Sequence, residues 1–365
     1  MTLYFYFARK FFWIFMGLLT VFFALQALVD MVDQLRKFDV EAIGFGQILQ
    51  LTFLHTPKGI YQILPLIMIL STVALFLGLA RSSELVVVRA SGRSALATLM
   101  APVMVAMLIG VVAISTINPI VAATTKRYED LSSSMSKEGS STLSISREGL
   151  WLRQGDVFGQ TVIHASSANS DATILYGVTF VAYAPDGGPV RRIEAEVATL
   201  ETPNWVLENA KVWPLIAGIN AEANAVEHAS LSVRSTLTRQ RIRDGFGTPS
   251  TVSIWDLPKI IRQLEEAGFS ARRHNVWLQM ELAKPLFLTA MVLVAAAFTM
   301  RHTRFGRTGL AVLASILLGF SLYYIRNFAQ ILGENGQIPI ALAAWAPPVA
   351  SVMLALGLLL HMEDG

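Results

Sequence analysis

The stretch RSSELVVVRASG, Arg81 to Gly92, separates two uncharged runs, Gly59 to Ala80 before it and Ser94 to Thr125 after it. Each run is long enough to cross a bilayer, which takes about 20 apolar residues at a rise of about 1.5 Å each. The stretch between them holds Arg81, Glu84 and Arg89. It is too short for a domain and too regular for a plain turn. Ser82 or Ser83 suits a helix N-cap, Glu84 falls in the first turn where the helix dipole favours an anion, and Gly92 suits a terminator. Leu85, Val86 and Val88 give one apolar side. A short helix over about 82–91, lying along the membrane surface, is the expectation. Anything that docks there would push on the two flanking spans together.

Working outward, the 365-residue chain is 53% hydrophobic with only 15% charged residues, which places it in the membrane class. Its net charge of +3 gives no electrostatic case for nucleic acid. With no cysteine, disulfides, thiolate–zinc sites and thiol catalysis are excluded. Candidate spans are Phe11–Val29, Gly59–Ala80, Leu96–Val121, Pro285–Met300 with residues upstream, Thr308–Ile325 and Ile338–Leu360. Arg9 and Lys10 before the first run could suggest a signal peptide, but no small-x-small cleavage site closes it, and it reads as a retained span.

The expected organisation is three spans over residues 1–126, a soluble domain over 127–273, and three spans over 274–365. Basic residues in short connections set orientation. Arg9, Lys10, Arg81, Arg89, Arg93, Arg301, Arg304 and Arg307 lie on one side, against Arg36, Lys37, Lys58 and Arg326 on the other. That bias puts both termini and Arg81–Gly92 in the cytoplasm, and the central domain outside.

The central domain reads as β. Leu143–Ser146 and Leu150–Arg153 alternate, and Thr173–Tyr183, Arg192–Leu200 and Trp205–Trp213 follow, with turns at Pro185–Gly188 and Thr202–Asn204. Strands at such intervals suggest a sandwich or jelly roll. Trp205 and Trp213, an even number of residues apart, are expected on one face unless a bulge intervenes. A helix capped by Ser253, with Ile254, Leu257, Ile260, Ile261 and Leu264 on one face, is expected before Gly268.

Several phrases resemble the lipopolysaccharide export permeases of the LptF/LptG family. Arg81–Gly92 matches that family's cytoplasmic coupling segment, Val32-Asp-Gln-Leu-Arg-Lys37 resembles its motif after the first span, Lys126-Arg-Tyr128 follows span three, and Gly268–Arg273 runs into a fourth span containing Pro285. The resemblance implies a membrane α+β protein of six transmembrane helices (3+3) with a periplasmic β-jellyroll inserted between helices three and four. It implies the permease subunit of an ABC transporter in the bacterial inner membrane, which extracts lipopolysaccharide and passes it through the jelly roll towards the outer membrane. The implied partners are an LptB-type cytoplasmic ATPase, an LptF-type sister permease, an LptC-type bitopic protein and an LptA-type periplasmic bridge.

On that footing Arg81, Glu84, Leu85, Val88 and Arg89 are the expected ATPase-coupling residues, with Glu84 as the polar contact. No G-x-x-x-x-G-K-(S/T) occurs, so ATP is expected on the partner, with no cofactor, metal or catalytic residue in this chain. Arg36, Lys37, Lys126 and Arg127, just past spans one and three, are the expected phosphate contacts, Arg by paired donors and Lys as a point charge. The competing reading is ordinary cations at a headgroup boundary. Asp30 stands where related permeases can carry a basic residue. Glu281 and Lys284 near span four are expected to pair at i, i+3 rather than to relay protons. The alternatives in function are a membrane-anchored scaffold, or a secondary transporter not coupled to an ATPase. Mid-span charges, which the latter would need, are nearly absent.

Overall fold

The structure is a computed structural model and describes residues 2–38, 44–90, 95–135, 143–146, 149–156, 159–169, 173–184, 188–201, 203–215, 220–235, 237–238, 248–266, 270–300 and 308–363. Gly92, Arg93, Pro185, Thr202, Gly268, Arg301, Arg304 and Arg307 therefore lie outside the described residues, as do the side chains of Val86, Arg89 and Leu143–Ser146. Two compact units are present: Met1–Ser132, Ser250–Trp255 and Arg272–Gly365 form one, Ser133–Pro249 and Asp256–Ala271 the other.

The first unit is helical. Helix α1 runs Thr2–Lys37, α2 Phe45–Arg81, α3 Glu84–Ala90 and α4 Ala95–Val112. A π-helix, Ala113–Ile117, follows and leads without a break into α5, Asn118–Met135. After the second unit come α7 Arg272–Leu282, α8 Lys284–Thr299, α9 Thr308–Glu334 and α10 Ile340–Glu363. Among the described residues five helices are long and apolar enough to cross a membrane, and α7 with α8, bent by 48° at their join, make a sixth if the pair is one span. The helices outrun the apolar segments of the sequence because polar turns at their ends continue the helix: α1 reaches Lys37 and α9 reaches Glu334.

Helix α8 sits at the centre. Phe287, Leu288 and Ala290–Ala297 are all buried, and they belong to a core that includes Phe7, Phe11 and Phe15 of α1, Met68 and Phe76 of α2, and Ala355 of α10. Small residues allow the close approaches. A Cβ on Gly110 would lie 2.5 Å from Pro285 Cα, and one on Gly333 2.6 Å from Ala343 Cβ. Outward-facing Trp13, Leu313, Tyr324, Phe328 and Met353 are exposed, as lipid-facing positions should be.

The second unit is built on one antiparallel sheet. Strands β1 Leu143–Ser146, β2 Gly149–Asp156, β3 Gly159–Ala168, β4 Ile174–Tyr183, β5 Pro189–Glu201, β6 Asn204–Pro214 and β7 Val226–Arg234 pair in chain order. Described strands thus form a meander, with no Greek-key crossover between them. The sheet is nonetheless rolled. Gln154 of β2 donates to the Arg234 carbonyl (3.1 Å) and accepts from Ser235 Oγ (3.2 Å), so opposite ends of the sheet meet. A cavity of about 590 Å³ lies beside this closure, lined by Gln154, Tyr183, Arg191, Val212 and Val226 among others.

A crease crosses four strands. Buried positions step by three rather than two at Ala165–Ala168, Leu175–Val178, Ala195–Ala198 and Leu207–Ala210, so side-chain alternation slips by one residue along a single line. Gly177 (φ 58) and Asn209 (φ 52) supply the left-handed backbone there, which glycine and asparagine tolerate best. The crease separates the two tryptophans expected to share a face. Trp205 is buried against Phe180, ring centroids 6.3 Å apart. Trp213 points outward and donates to Glu222 (2.7 Å) beside Lys211 and Arg192.

Helix α6, Leu257–Glu266, starts three residues later than Ser253 would cap it. The Asp256 carbonyl receives the first amides, from Lys259 and Ile260, and Pro258 occupies the first turn, where its missing N–H costs nothing. Ser253 accepts from Trp255 N instead, at 3.3 Å.

Candidate functional site

Helix α2 ends at Arg81, the Ser82 amide closes back onto the Gly78 carbonyl (3.0 Å), and Ser83 at φ 58 turns the chain into α3. Leu85 and Val88 bury one face of α3 in the helical core, while Val87 on the other side is 68% exposed. Arg81 is exposed as well. The side chain of Arg89 is outside the described set.

Glu84 is held by three donors besides its own helix. Lys10 Nζ lies 3.0 Å from Oε1 and 3.3 Å from Oε2. Tyr6 Oη donates to Oε2 at 3.0 Å, and Ser82 Oγ to Oε1 at 2.8 Å. Tyr6 and Lys10, one turn apart on α1, are themselves joined at 3.1 Å. Partial burial opposes the carboxylate charge, but the hydrogen bonds from Ser82, Lys10 and Tyr6, with the Lys10 charge, outweigh it and hold the carboxyl below its ordinary value. In the sequence Lys10 reads only as a topology charge, and Tyr6 carries no signal of its own. A separation of 74 positions in the chain leaves no local signal for such a pair.

At the far end of α1 the two basic pairs fall on neighbouring helices, Arg36 and Lys37 in the last turn of α1 and Lys126 and Arg127 midway along α5. Arg36, Lys37, Lys126 and Arg127 are all exposed. Lys37 Nζ lies 3.4 Å from Ser132 Oγ and 5.8 Å from the centre of the Tyr128 ring, one turn and one residue on from Arg127. Gln34 and Tyr128 bond at 3.1 Å and complete the seam between α1 and α5. Asp30 faces inward. It is 2% exposed and accepts from Gln26 (3.0 Å) and Thr56 (2.9 Å), with His55 Nδ1 at 3.1 Å. It joins α1 to α2 and presents no charge at the surface.

A set of membrane-length helices, a β-unit inserted in the chain after the third span, and a short helix between the second and third define a multi-pass membrane α+β protein. The sequence model of the family described as "Lipopolysaccharide export system permease LptF/LptG" matches residues 5–361. The chain belongs to that family. It is 25% identical, over 98% of its length and 97% of the relative's, to the lipopolysaccharide export system permease protein LptG of Escherichia coli strain K12. To LptG of Haemophilus influenzae it is 23% identical over 93% of both chains.

Proposed function

We propose that this chain is the permease half of an ATP-driven exporter of the bacterial inner membrane, with both termini cytoplasmic and the β-domain periplasmic. A separate LptB-type ATPase docks on α3, and an LptF-type sister permease completes the bundle. Lipopolysaccharide leaves the membrane through the bundle and passes by the rolled sheet towards LptC-type and LptA-type partners.

The observation that supports this most is α3 itself. Leu85 and Val88 anchor it in the core, Val87 and Arg81 face out, and Glu84 ties it to α1. A docked partner would therefore move α1 as well as α2. Charge complementarity suits this contact, because a carboxylate meeting an arginine at a desolvated surface is costly to lose. Arg36, Lys37, Lys126 and Arg127 serve the phosphates of the glycolipid at the outer leaflet boundary. A scaffold has no need of a short docking helix so braced.

Reconstitution into lipid vesicles with the sister permease and the ATPase tests the reading. Release of lipopolysaccharide to a periplasmic acceptor should require both ATP and the ATPase. Release by the permeases alone would overturn it.

A further inference from the structure

Glu281 and Lys284 pair as a sequence spacing of three allows, with Lys284 Nζ 2.9 Å from Oε1 and 3.1 Å from Oε2. The pair is not at a surface. Glu281 is 1% exposed and Lys284 6%. Two further donors from other helices converge on Glu281 Oε2: Tyr61 Oη of α2, and Asn118 Nδ2 at 3.3 Å from the start of α5. The Lys284 ammonium also sits 3.2 Å from the centre of the Tyr61 ring. A buried ion pair needs such extra donors to offset the loss of water.

Each of the three spans that meet here is weakened at this level. In α2, Pro57 and Pro65 flank Tyr61, and Pro65 cannot donate the helical bond to the Tyr61 carbonyl. The third span widens into the π-helix Ala113–Ile117 immediately before Asn118. The fourth breaks by 48° between Glu281 and Lys284. Asn118 has a second duty. Its Oδ1 accepts the Ile254 amide at 2.9 Å, and Trp255 Nε1 donates to the Ser115 carbonyl of the π-helix at 3.2 Å, so the Ser250–Trp255 loop is bound to the same point.

We propose that Glu281, gripped by Tyr61, Asn118 and Lys284, is the hinge pin of the bundle. These are positioning residues for export: three spans with softened backbones turn about one buried carboxylate and stay in register. Helix α2 holds no further proline between Pro65 and Arg81, so a stroke received at α3 is carried along that stretch to the softened turn at Tyr61. The proposal rests on the reading of the chain as an ATP-driven permease.

Reconstituted complexes carrying Asn118→Ala, Tyr61→Phe or the exchanged pair Glu281→Lys/Lys284→Glu separate the roles, with yield of assembled complex, ATP hydrolysis and lipopolysaccharide release measured on each. Asn118→Ala and Tyr61→Phe should assemble and hydrolyse ATP within about twofold of the parent while release falls about tenfold or more. The exchanged pair keeps a local ion pair but presents a cation to Tyr61 and Asn118, and should also lose release. Parental release by the exchanged pair or by Asn118→Ala overturns the hinge. Loss of assembly in Asn118→Ala overturns it as well, because it assigns the network to folding. ATP-independent release by the parent complex would instead sink the functional reading beneath it.

Discussion

Lys10 Nζ lies 3.0 Å from Glu84 Oε1, and this contact fastens the short helix α3 to the first membrane helix. The carboxylate expected to reach out to a partner is thus also an internal clasp. Both side chains keep about a third of their surface, 29% for Lys10 and 33% for Glu84, so a docking cation still has access.

Charge exchange separates the two roles. Glu84→Lys should abolish export, because it breaks the clasp and presents a cation to the ATPase. Lys10→Glu combined with Glu84→Lys rebuilds the clasp but leaves the outward charge reversed, and should remain inactive. Export restored by the double variant, measured as lipopolysaccharide release, would confine the role of Glu84 to the permease itself.

The clasp should be indifferent to pH in the neutral range. The Glu84 carboxyl lies below its ordinary value of 4.5 in the folded protein. A depressed carboxylate contributes above the unfolded value and loses that contribution as pH falls through the folded one. Difference infrared spectra of the parent against Glu84→Gln should show a mainly ionised carboxylate at pH 4.5, where an unshifted glutamate is half protonated. Acid and carboxylate bands of equal weight at that pH would contradict the geometry.

The proposed phosphate contacts are tested by Arg36→Ala with Lys37→Ala. Crosslinking of the permease to lipopolysaccharide should fall several-fold, since both cations are exposed at one helix end beside Lys126 and Arg127. Unchanged crosslinking would make them ordinary cations at a headgroup boundary.

Gly110 should not tolerate a side chain. Its Cβ would meet the Pro285 backbone at 2.5 Å, where no flexible group can yield. Gly110→Ala should cost about 1–3 kcal/mol through overpacking, read as a lower melting temperature in detergent. Gly17→Ala, with open space around it, is the control and should melt like the parent.

In the β-domain, Trp205→Ala should destabilise by about 3–5 kcal/mol, the usual range for emptying a buried aromatic site. Trp213→Ala, on the outer face, should cost far less. Limited proteolysis of the two variants orders them, and equal sensitivity would contradict the crease at Asn209.

Much of this fold is legible in the sequence because a bilayer demands long apolar runs and loops demand charge. Helices α1, α2, α9 and α10 announce themselves in that way, and α3 does so by interrupting a greasy stretch with Arg81 and Glu84. Contacts between distant positions are another matter. Nothing near Glu84 points to Tyr6, and nothing near Glu281 points to Tyr61 or Asn118, because these pairs are set by helix packing rather than by periodicity. The even spacing of Trp205 and Trp213 misleads for a related reason. One left-handed residue, Asn209, shifts the alternation, and asparagine in a strand carries no unambiguous sign of that. The start of the fourth span is hidden likewise: α7 is too polar to look apolar, and its join to α8 depends on the buried pair at the break.

In the proposed exporter, α3 receives an external motor from the cytoplasmic side. The chain has no cysteine, so Val87→Cys gives a single thiol at the exposed face of that helix. In whole cells this thiol should resist a membrane-impermeant maleimide until the inner membrane is opened, and a short bifunctional reagent should then link it to the cytoplasmic ATPase. Labelling from outside intact cells, with no crosslink to a nucleotide-hydrolysing subunit, would contradict the account.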